Sequence, residues 1–455
     1  MLKSSLVGCM EKSKGIRSLT EGSVAKALLA FTVPLVLSGL LQQLFSWVDA
    51  FIVGNVNGET ALGGIGATTS IYNLFVTVIT GFTAGLSVLT AQQFGRNEHK
   101  RITATLSTYT AILGVIFLLI AVSGIAFAHE ILTVMDTPSS IFPSAEEYLS
   151  VLLAGIPFLA VYNTYSAVLR GIGNSRAPFL AIIVSSFANV ALDLVFVAGL
   201  GYGPAGAAAA TVIAQAAMTV FIVAYAIRRY PELRFRFCRA SFDRKAMREG
   251  AVFSLPPAIQ SGTSSIGSVI LQQFMNGFGS QTVSAITTAY RVDTVILLPI
   301  TNLGSGIATV VAQNIGAGKA DRAKKAIRAG SAIMAAVSLI LTLLVFLCGE
   351  HLIAMFGLSP ETTAIGRAFF HRIAVFYIVF GLSMAIRGFI EGIGDMLFSG
   401  VAGILSLVVR IVCSYALRDM FGTLVIAYAE AIAWIFMLLL YVVRYARKSR
   451  EISIL

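Results

Sequence analysis

The chain has 455 residues, of which 57% are hydrophobic and only 12% charged, and its mean hydropathy is +0.84. Soluble globular proteins carry about 25% charged residues, so a soluble domain is excluded; a β-barrel, whose strands alternate over ~10 residues, is excluded by long apolar runs along the whole chain. The formal net charge of +11 fits either a nucleic-acid partner or membrane topology, and its distribution decides between them.

Twelve apolar helical segments are predicted, at 27–53, 61–90, 103–127, 145–169, 178–199, 205–227, 249–275, 283–312, 325–348, 364–389, 398–417 and 421–443. Clusters of Gly, Pro, Asn and Asp mark breaks at Gly54-Asn55, Asp136-Thr137-Pro138, Gly201–Pro204 and Gly277–Gly279. Residues 1–26 are polar and basic, and the apolar run that follows is too long for a signal core, so no cleavable signal is expected.

Segment 1 carries Pro34 in mid-helix, where it removes a backbone hydrogen bond and permits a bend. Beyond it runs a polar stripe, Ser38, Gln42, Ser46 and Asp49. Segment 5 carries Ser185, Asn189 and Asp193, and segment 6 Thr211, Gln215 and Thr219, each trio at i, i+4 spacing and so on one helical face. At 1.5 Å per residue, Asp49, Asp193 and Thr211 fall at similar depth in the outer half of the bilayer, with Asn189 one turn from Asp193 on the same face. Three helices thus converge oxygen ligands on one point.

Two carboxylates in a low-dielectric site need a proton, a metal ion or a cationic side chain to neutralise them. No Lys or Arg of the first six segments lies near this depth, which leaves H⁺ or a hard cation such as Na⁺. The bland alternative is a pair of acids that simply stay protonated and hydrogen-bonded. Nothing in the set selects a soft metal such as Zn²⁺.

The basic residues sort by side. Of 33 Lys and Arg, 28 fall in the N-terminal tail, the 95–102, 170–177 and 316–328 loops, the 228–248 segment, the 387–397 region and the C-terminal tail. All of these share a side if the N-terminus is inside. This is the positive-inside pattern. It places both termini in the cytoplasm of a multi-pass cell-membrane protein and accounts for the basic charge without nucleic acid. Membrane lipid is the expected surrounding partner.

The chain repeats itself. Ala91–Gly95 resembles Ala312–Gly316, and Arg170–Asn174 resembles Glu391–Asp395, both at an offset of 221. Val33-Pro34 and Leu255-Pro256 match within one residue of it. The expected fold is therefore all-α: twelve transmembrane helices in two pseudo-symmetric six-helix bundles. The N-lobe is residues 1–227, the basic linker 228–248 and the C-lobe 249–455. Two such bundles can rock about a cleft to give alternating access.

In the second half, Arg410 on segment 11 and Glu430 on segment 12 lie at comparable depth, with Arg291, Asp293 and Arg372 near that level. A buried ion-pair network is expected, of small net stability because desolvation opposes it. In the functional alternative Asp293 faces the cleft and attracts cations. No Walker motif is present, nor the DDxxD or HxxxxD motif of a membrane transferase, so no enzyme is expected and no cofactor beyond the coupling ion. Cys9, Cys238, Cys348 and Cys413, like the four dispersed histidines, form no metal motif.

The chain resembles the multidrug and toxic compound extrusion (MATE) family over essentially its full length. The likeness rests on the two six-helix halves, Trp47-Val48-Asp49 followed by Gly54, the Ala91–Gly95 loop, and Arg170–Asn174 before Pro178. It implies a cation-coupled exporter. Asn189, Asp193 and Thr211 match the family's N-lobe cation site, Pro34 its helix 1 proline, and Tyr148 a tyrosine near that site. The chain departs from members with acidic residues on helices 7 and 10, because segment 7 has only Glu249 and segment 10 none. A C-lobe Na⁺ site is not carried over.

The cleft in such a fold is lined by helices 1, 2, 7 and 8. Its candidates here are Gln42, Phe45, Tyr72, Asn73, Gln260, Gln272, Tyr290 and Asp293, a polar and aromatic set suited to amphipathic organic cations. The expected function is secondary antiport of such compounds by a monomer, against Na⁺ or H⁺. The alternative is a flippase for lipid-linked oligosaccharide or another lipid precursor. Pyrophosphate would need cationic cleft residues, which the interiors of segments 1, 2 and 7 lack.

Overall fold

The structure, a computed structural model, describes residues 19–234 and 243–451. Lys3, Lys12, Lys14 and Arg17 of the tail, Arg236 and Arg239 of the linker, Cys9 and Cys238 lie outside the described residues. The described chain is helical, with no strand among the described residues.

The helices are α1 Val24–Gly95, α2 His99–Ala126, α3 Ala128–Val134, α4 Phe142–Leu153, α5 Ile156–Gly171, α6 Arg176–Asp193, α7 Gly203–Arg229 and α8 Arg244–Asn276. The second half continues with α9 Ser280–Ile296, α10 Leu298–Gly316, α11 Ala320–Ala354, α12 Pro360–Ala374, α13 Tyr377–Gly392, α14 Met396–Ala416, α15 Arg418–Phe421 and α16 Val425–Glu451. Among the described residues, eight helical stretches are individually long and apolar enough to cross a membrane, or eleven if each of three bent pairs is one span. The twelfth expected segment is α8, 33 residues long; its Ser and Gln residues from Ser254 to Gln273 keep its apolar score low.

Three of the expected segments are bent. α4 meets α5 at 41°, α9 meets α10 at 41° and α12 meets α13 at 50°. Pro157 and Pro299 stand at the starts of α5 and α10, where the missing N–H frees the ladder. The α12–α13 bend has no proline; there Thr342 Oγ1 donates to the Ala374 carbonyl at 2.7 Å and satisfies a helix end.

The break expected at Gly54-Asn55 does not interrupt the helical backbone, which runs as α1 for 72 residues. A straight helix would set Leu41 and Phe94 about 80 Å apart. Both pack on the same apolar cluster of Ile102, Tyr162, Ile182 and their neighbours. The helical chain therefore reverses between its two apolar spans, Val24–Gly54 and Gly63–Gly95.

The repeat is written in the backbone. Left-handed residues occur at Asn97 and Gly318, Asp136 and Gly357, Gly173 and Gly394, and Gly201 and Gly422, each pair 221 residues apart. Four turns of one handedness at one offset are the structural form of the sequence repeat. Asn and Asp take two of these positions because their short polar side chains tolerate this conformation.

By packing, the chain falls into two compact units. Among the described residues, one compact unit is Leu37–Ser254, and the other joins residues 19–36 to Leu255 onward. Each exchange falls beside a mid-helix proline, Pro34 in α1 and Pro256-Pro257 in α8. The reason is local contact. The start of α8 packs in the first unit, where Tyr109 Oη donates to the Met247 carbonyl at 2.5 Å. Residues 19–22 belong to the second, where Arg322 donates to the Glu21 and Gly22 carbonyls at 2.7 and 2.8 Å. The second unit has one continuous apolar core around Ile307, Phe370 and Phe389. Among the described residues the first has three clusters, bridged by Leu159 and Tyr72.

Candidate functional site

In the first unit, α6 and α7 lie against each other and place the two polar trios side by side. Asn189 Nδ2 approaches Thr211 Oγ1 at 3.4 Å. Gln215 Nε2 donates to Tyr72 Oη at 2.6 Å, and Thr219 Oγ1 donates to the Phe158 and Gln215 carbonyls, each at 2.8 Å. The α-helix ends at Asp193 and continues as a π-helix through Gly199. That wider turn follows directly on the carboxylate, a setting in which π-turns recur at functional sites.

Asp49 of α1 and Asp193 of α6 come together as a carboxyl–carboxyl pair. Asp193 is fully buried. Its two oxygens and Asp49 Oδ1 meet no protein donor. No ion pair among the described residues includes either acid. Tyr148, buried at 7% exposure, stands within electrostatic reach of both carboxyls and of Tyr72. One turn beyond Asp49, Ile52 and Val53 join Tyr148, Leu152, Val197, Ala207 and Ala208 in an apolar cluster against which Tyr72 packs. The pair thus sits beside an apolar plug with unsatisfied acceptors. A proton shared between the acids, or a hard cation among carboxyl, amide and hydroxyl oxygens, would satisfy them.

The five residues predicted for a cation site, Asp49, Asn189, Asp193, Thr211 and Tyr148, are thus carried by neighbouring elements of one unit. Of the expected cleft residues, Gln42, Phe45, Tyr72 and Asn73 belong to the first unit and Gln260, Gln272, Tyr290 and Asp293 to the second. Gln42 and Asn73 are exposed. Phe45 meets Phe187 edge-on at 6.2 Å. Tyr72 belongs to the surroundings of Tyr148. Gln272 donates to Asn276 at 3.0 Å, and Gln260 Oε1 accepts from Arg387 Nη2 at 3.0 Å.

Tyr290 and Asp293, also expected on the cleft, lie in a polar network of the second unit. Arg410 and Glu430 pair at 3.0 Å as expected, and Tyr290 Oη accepts from Arg410 at 2.6 Å and donates to Glu430 at 3.0 Å. Asp293 is 4% exposed and accepts from the Tyr377 hydroxyl. Within the second unit Asp293 is thus enclosed. Arg291 and Arg372, expected near this network, are exposed. Tyr377 escaped the sequence reading because its repeat partner is Ile156, which carries no polar signal. The Arg387–Glu391 pair at 2.7 Å was visible as an i, i+4 spacing of opposite charges.

A helical membrane protein built from two repeated units with a buried acidic pair in the first is the class that fold and site define. A family model described as MatE matches residues 34–195 and again 256–416, at the spacing of the internal repeat to within a residue. The chain belongs to the MatE family, the multidrug and toxic compound extrusion family that the sequence motifs resemble. It is 27% identical over 382 residues to the probable multidrug resistance protein YpnP of Bacillus subtilis (strain 168), covering 83% of this chain and 84% of that one. It is 28% identical over 404 residues to YoeA, also a probable multidrug resistance protein of that organism, covering 85% of each. A solved structure described as the outward-facing conformation of a multidrug resistance MATE family transporter of the MOP superfamily superposes with a TM-score of 0.90 at 19% identity. The superposition covers 97% of this chain and 99% of the other and so establishes the shared fold.

Proposed function

We propose that the protein is a secondary antiporter of the cell membrane that exports amphipathic organic cations by alternating access, in exchange for Na⁺ or H⁺. The observation that carries this reading is the Asp49–Asp193 pair, whose buried oxygens have no protein donor. A pair of this kind changes charge when an ion arrives or leaves, which is what coupling requires. Asn189 and Thr211 supply further oxygens or orient the acids, and Tyr148 supplies a hydroxyl beside them. Pro34 lets α1 bend as the ion state changes. Both termini are cytoplasmic in this reading, and the names of the Bacillus relatives support drugs as the exported class.

The test is efflux of a fluorescent organic cation from proteoliposomes, with Na⁺ and pH gradients imposed separately. Transport driven by Na⁺ at constant pH assigns the pair as a cation cage. Transport driven only by a pH gradient assigns it as a protonation switch. Equal efflux by Asp49→Asn and Asp193→Asn at parental membrane levels overturns the assignment of the pair. Absence of response to either gradient, with uptake of a lipid-linked pyrophosphate instead, overturns the antiport reading.

A further inference from the structure

The second unit encloses a charge imbalance that the ion-pair description leaves open. Asp293 and Glu430 are both buried, at 4% and 7% exposure, and the cation among them is Arg410. Arg410 and Tyr290 are both committed to Glu430, at 3.0 Å each. Asp293 has the Tyr377 hydroxyl as its hydrogen-bond donor, and it lies within electrostatic reach of Glu430 and Arg410. Two acids therefore share one guanidinium in an apolar core. Buried carboxylates without a matching charge are not tolerated there.

Other charges on the packed elements do not close the gap. Arg291, next to Tyr290 on α9, is exposed. On α12, Arg372 is exposed and turns to the Ala368 carbonyl, His371 stacks on Phe346, and Arg367 pairs with Glu350 of α11 at 2.9 Å. On α13, Tyr377 is already the donor to Asp293, while Arg387 and Glu391 pair with each other at 2.7 Å. Among the described residues, one positive charge is missing.

The repeat marks the same place independently. Asp293 stands 221 residues after Tyr72, and Arg410 221 after Asn189. Tyr72 and Asn189 belong to the polar cluster of the first unit. The second unit has replaced these neutral groups with an acid and a base, at matching positions of a duplicated helix set.

We propose that Asp293 is a second proton site of this transporter, separate from the Asp49–Asp193 pair. Its carboxyl holds the missing positive charge as a proton on one oxygen, while the Tyr377 hydroxyl donates to Oδ1. The O–H bond of the acid breaks when the proton passes to water and re-forms when it returns, and no other bond changes. In the deprotonated state Tyr377 and the shared field of Arg410 stabilise the carboxylate. The site goes beyond the antiport reading because it exchanges a proton whichever ion the first unit takes.

Difference infrared spectroscopy of the full chain in lipid nanodiscs, titrated with pH in H₂O and D₂O, tests it. The parent is expected to show a deuterium-sensitive carboxylic-acid C=O band that titrates, is lost in Asp293→Asn, and persists in Asp193→Asn. Its loss in Asp193→Asn and not in Asp293→Asn overturns the proposal, as does an Asp293 band absent at every pH. Should Asp293→Asn fail to fold, Tyr377→Phe keeps the ring and removes the donor; a moved midpoint of the band supports the site, and an unmoved one overturns it. Reversal-potential measurements in proteoliposomes give the transport readout: the proton count per exported cation falls by one in Asp293→Asn and is restored in Asp293→Glu. An unchanged count in Asp293→Asn overturns the proposal even if the first-unit assignment stands.

Discussion

At Asp49 and Asp193 the acceptor atoms outnumber the donors the protein offers them. A hydrogen bond to a charged group is worth about 1.5–3 kcal/mol, which corresponds to roughly ten- to hundredfold in ion affinity. Asp193→Asn and Asp49→Asn are therefore expected to weaken ion binding by about that factor and to abolish coupled efflux, measured at matched protein level in proteoliposomes. Thr211→Val keeps both acids and is expected to weaken binding less. In the second unit, Arg410→Met leaves Glu430 and Tyr290 buried without their cation, at a cost of about 3–5 kcal/mol. The double variant Arg410→Met/Glu430→Leu is expected to recover most of that stability in thermal unfolding in detergent. A double variant no more stable than the single one contradicts the pairing seen at 3.0 Å.

At the scale of helices, glycines set the close approaches. A Cβ on Gly85 of α1 would meet the Phe253 carbonyl of α8, with no flexible side chain to yield. Gly85→Ala is expected to destabilise by about 1–3 kcal/mol through overpacking. Gly66 of the same helix has nothing within 4 Å of its Cβ position, so Gly66→Ala is expected to be neutral or to stabilise by up to about 1 kcal/mol from helix propensity. Thermal unfolding of the two variants side by side separates packing from propensity. The bends belong to this scale as well. Pro157 and Pro299 announce two of them, whereas the α12–α13 bend depends on Thr342 reaching a carbonyl from another helix, which no local pattern contains.

For the whole molecule, the charge distribution carries a topology that labelling can check. Single cysteines placed at Lys100 and Lys324, in a background without native cysteines, are expected to react only from the cytoplasmic side. One at Thr137 is expected to react from outside. Reaction of Lys100→Cys and Thr137→Cys from the same side would contradict the topology, since α2 and its apolar span lie between them. The repeat also operates at this scale: four left-handed turns recur at one offset, and the family model matches each half separately.

Helix content, span number and the duplicated plan were legible in the sequence, because hydrophobic runs and turn residues are local and the membrane forces backbone polar groups to pair within helices. That Asp49, Asn189, Asp193 and Thr211 gather on neighbouring elements of one unit was legible too, because i, i+4 spacing and depth along a helix are readable in one dimension. Only the tertiary structure decided that residues 19–36 pack with the second unit, that Tyr72 serves Gln215, and that Asp293 is enclosed with Tyr377. Those outcomes depend on which helix faces which neighbour, and side chains 84 or 143 positions apart leave no periodic trace of their meeting.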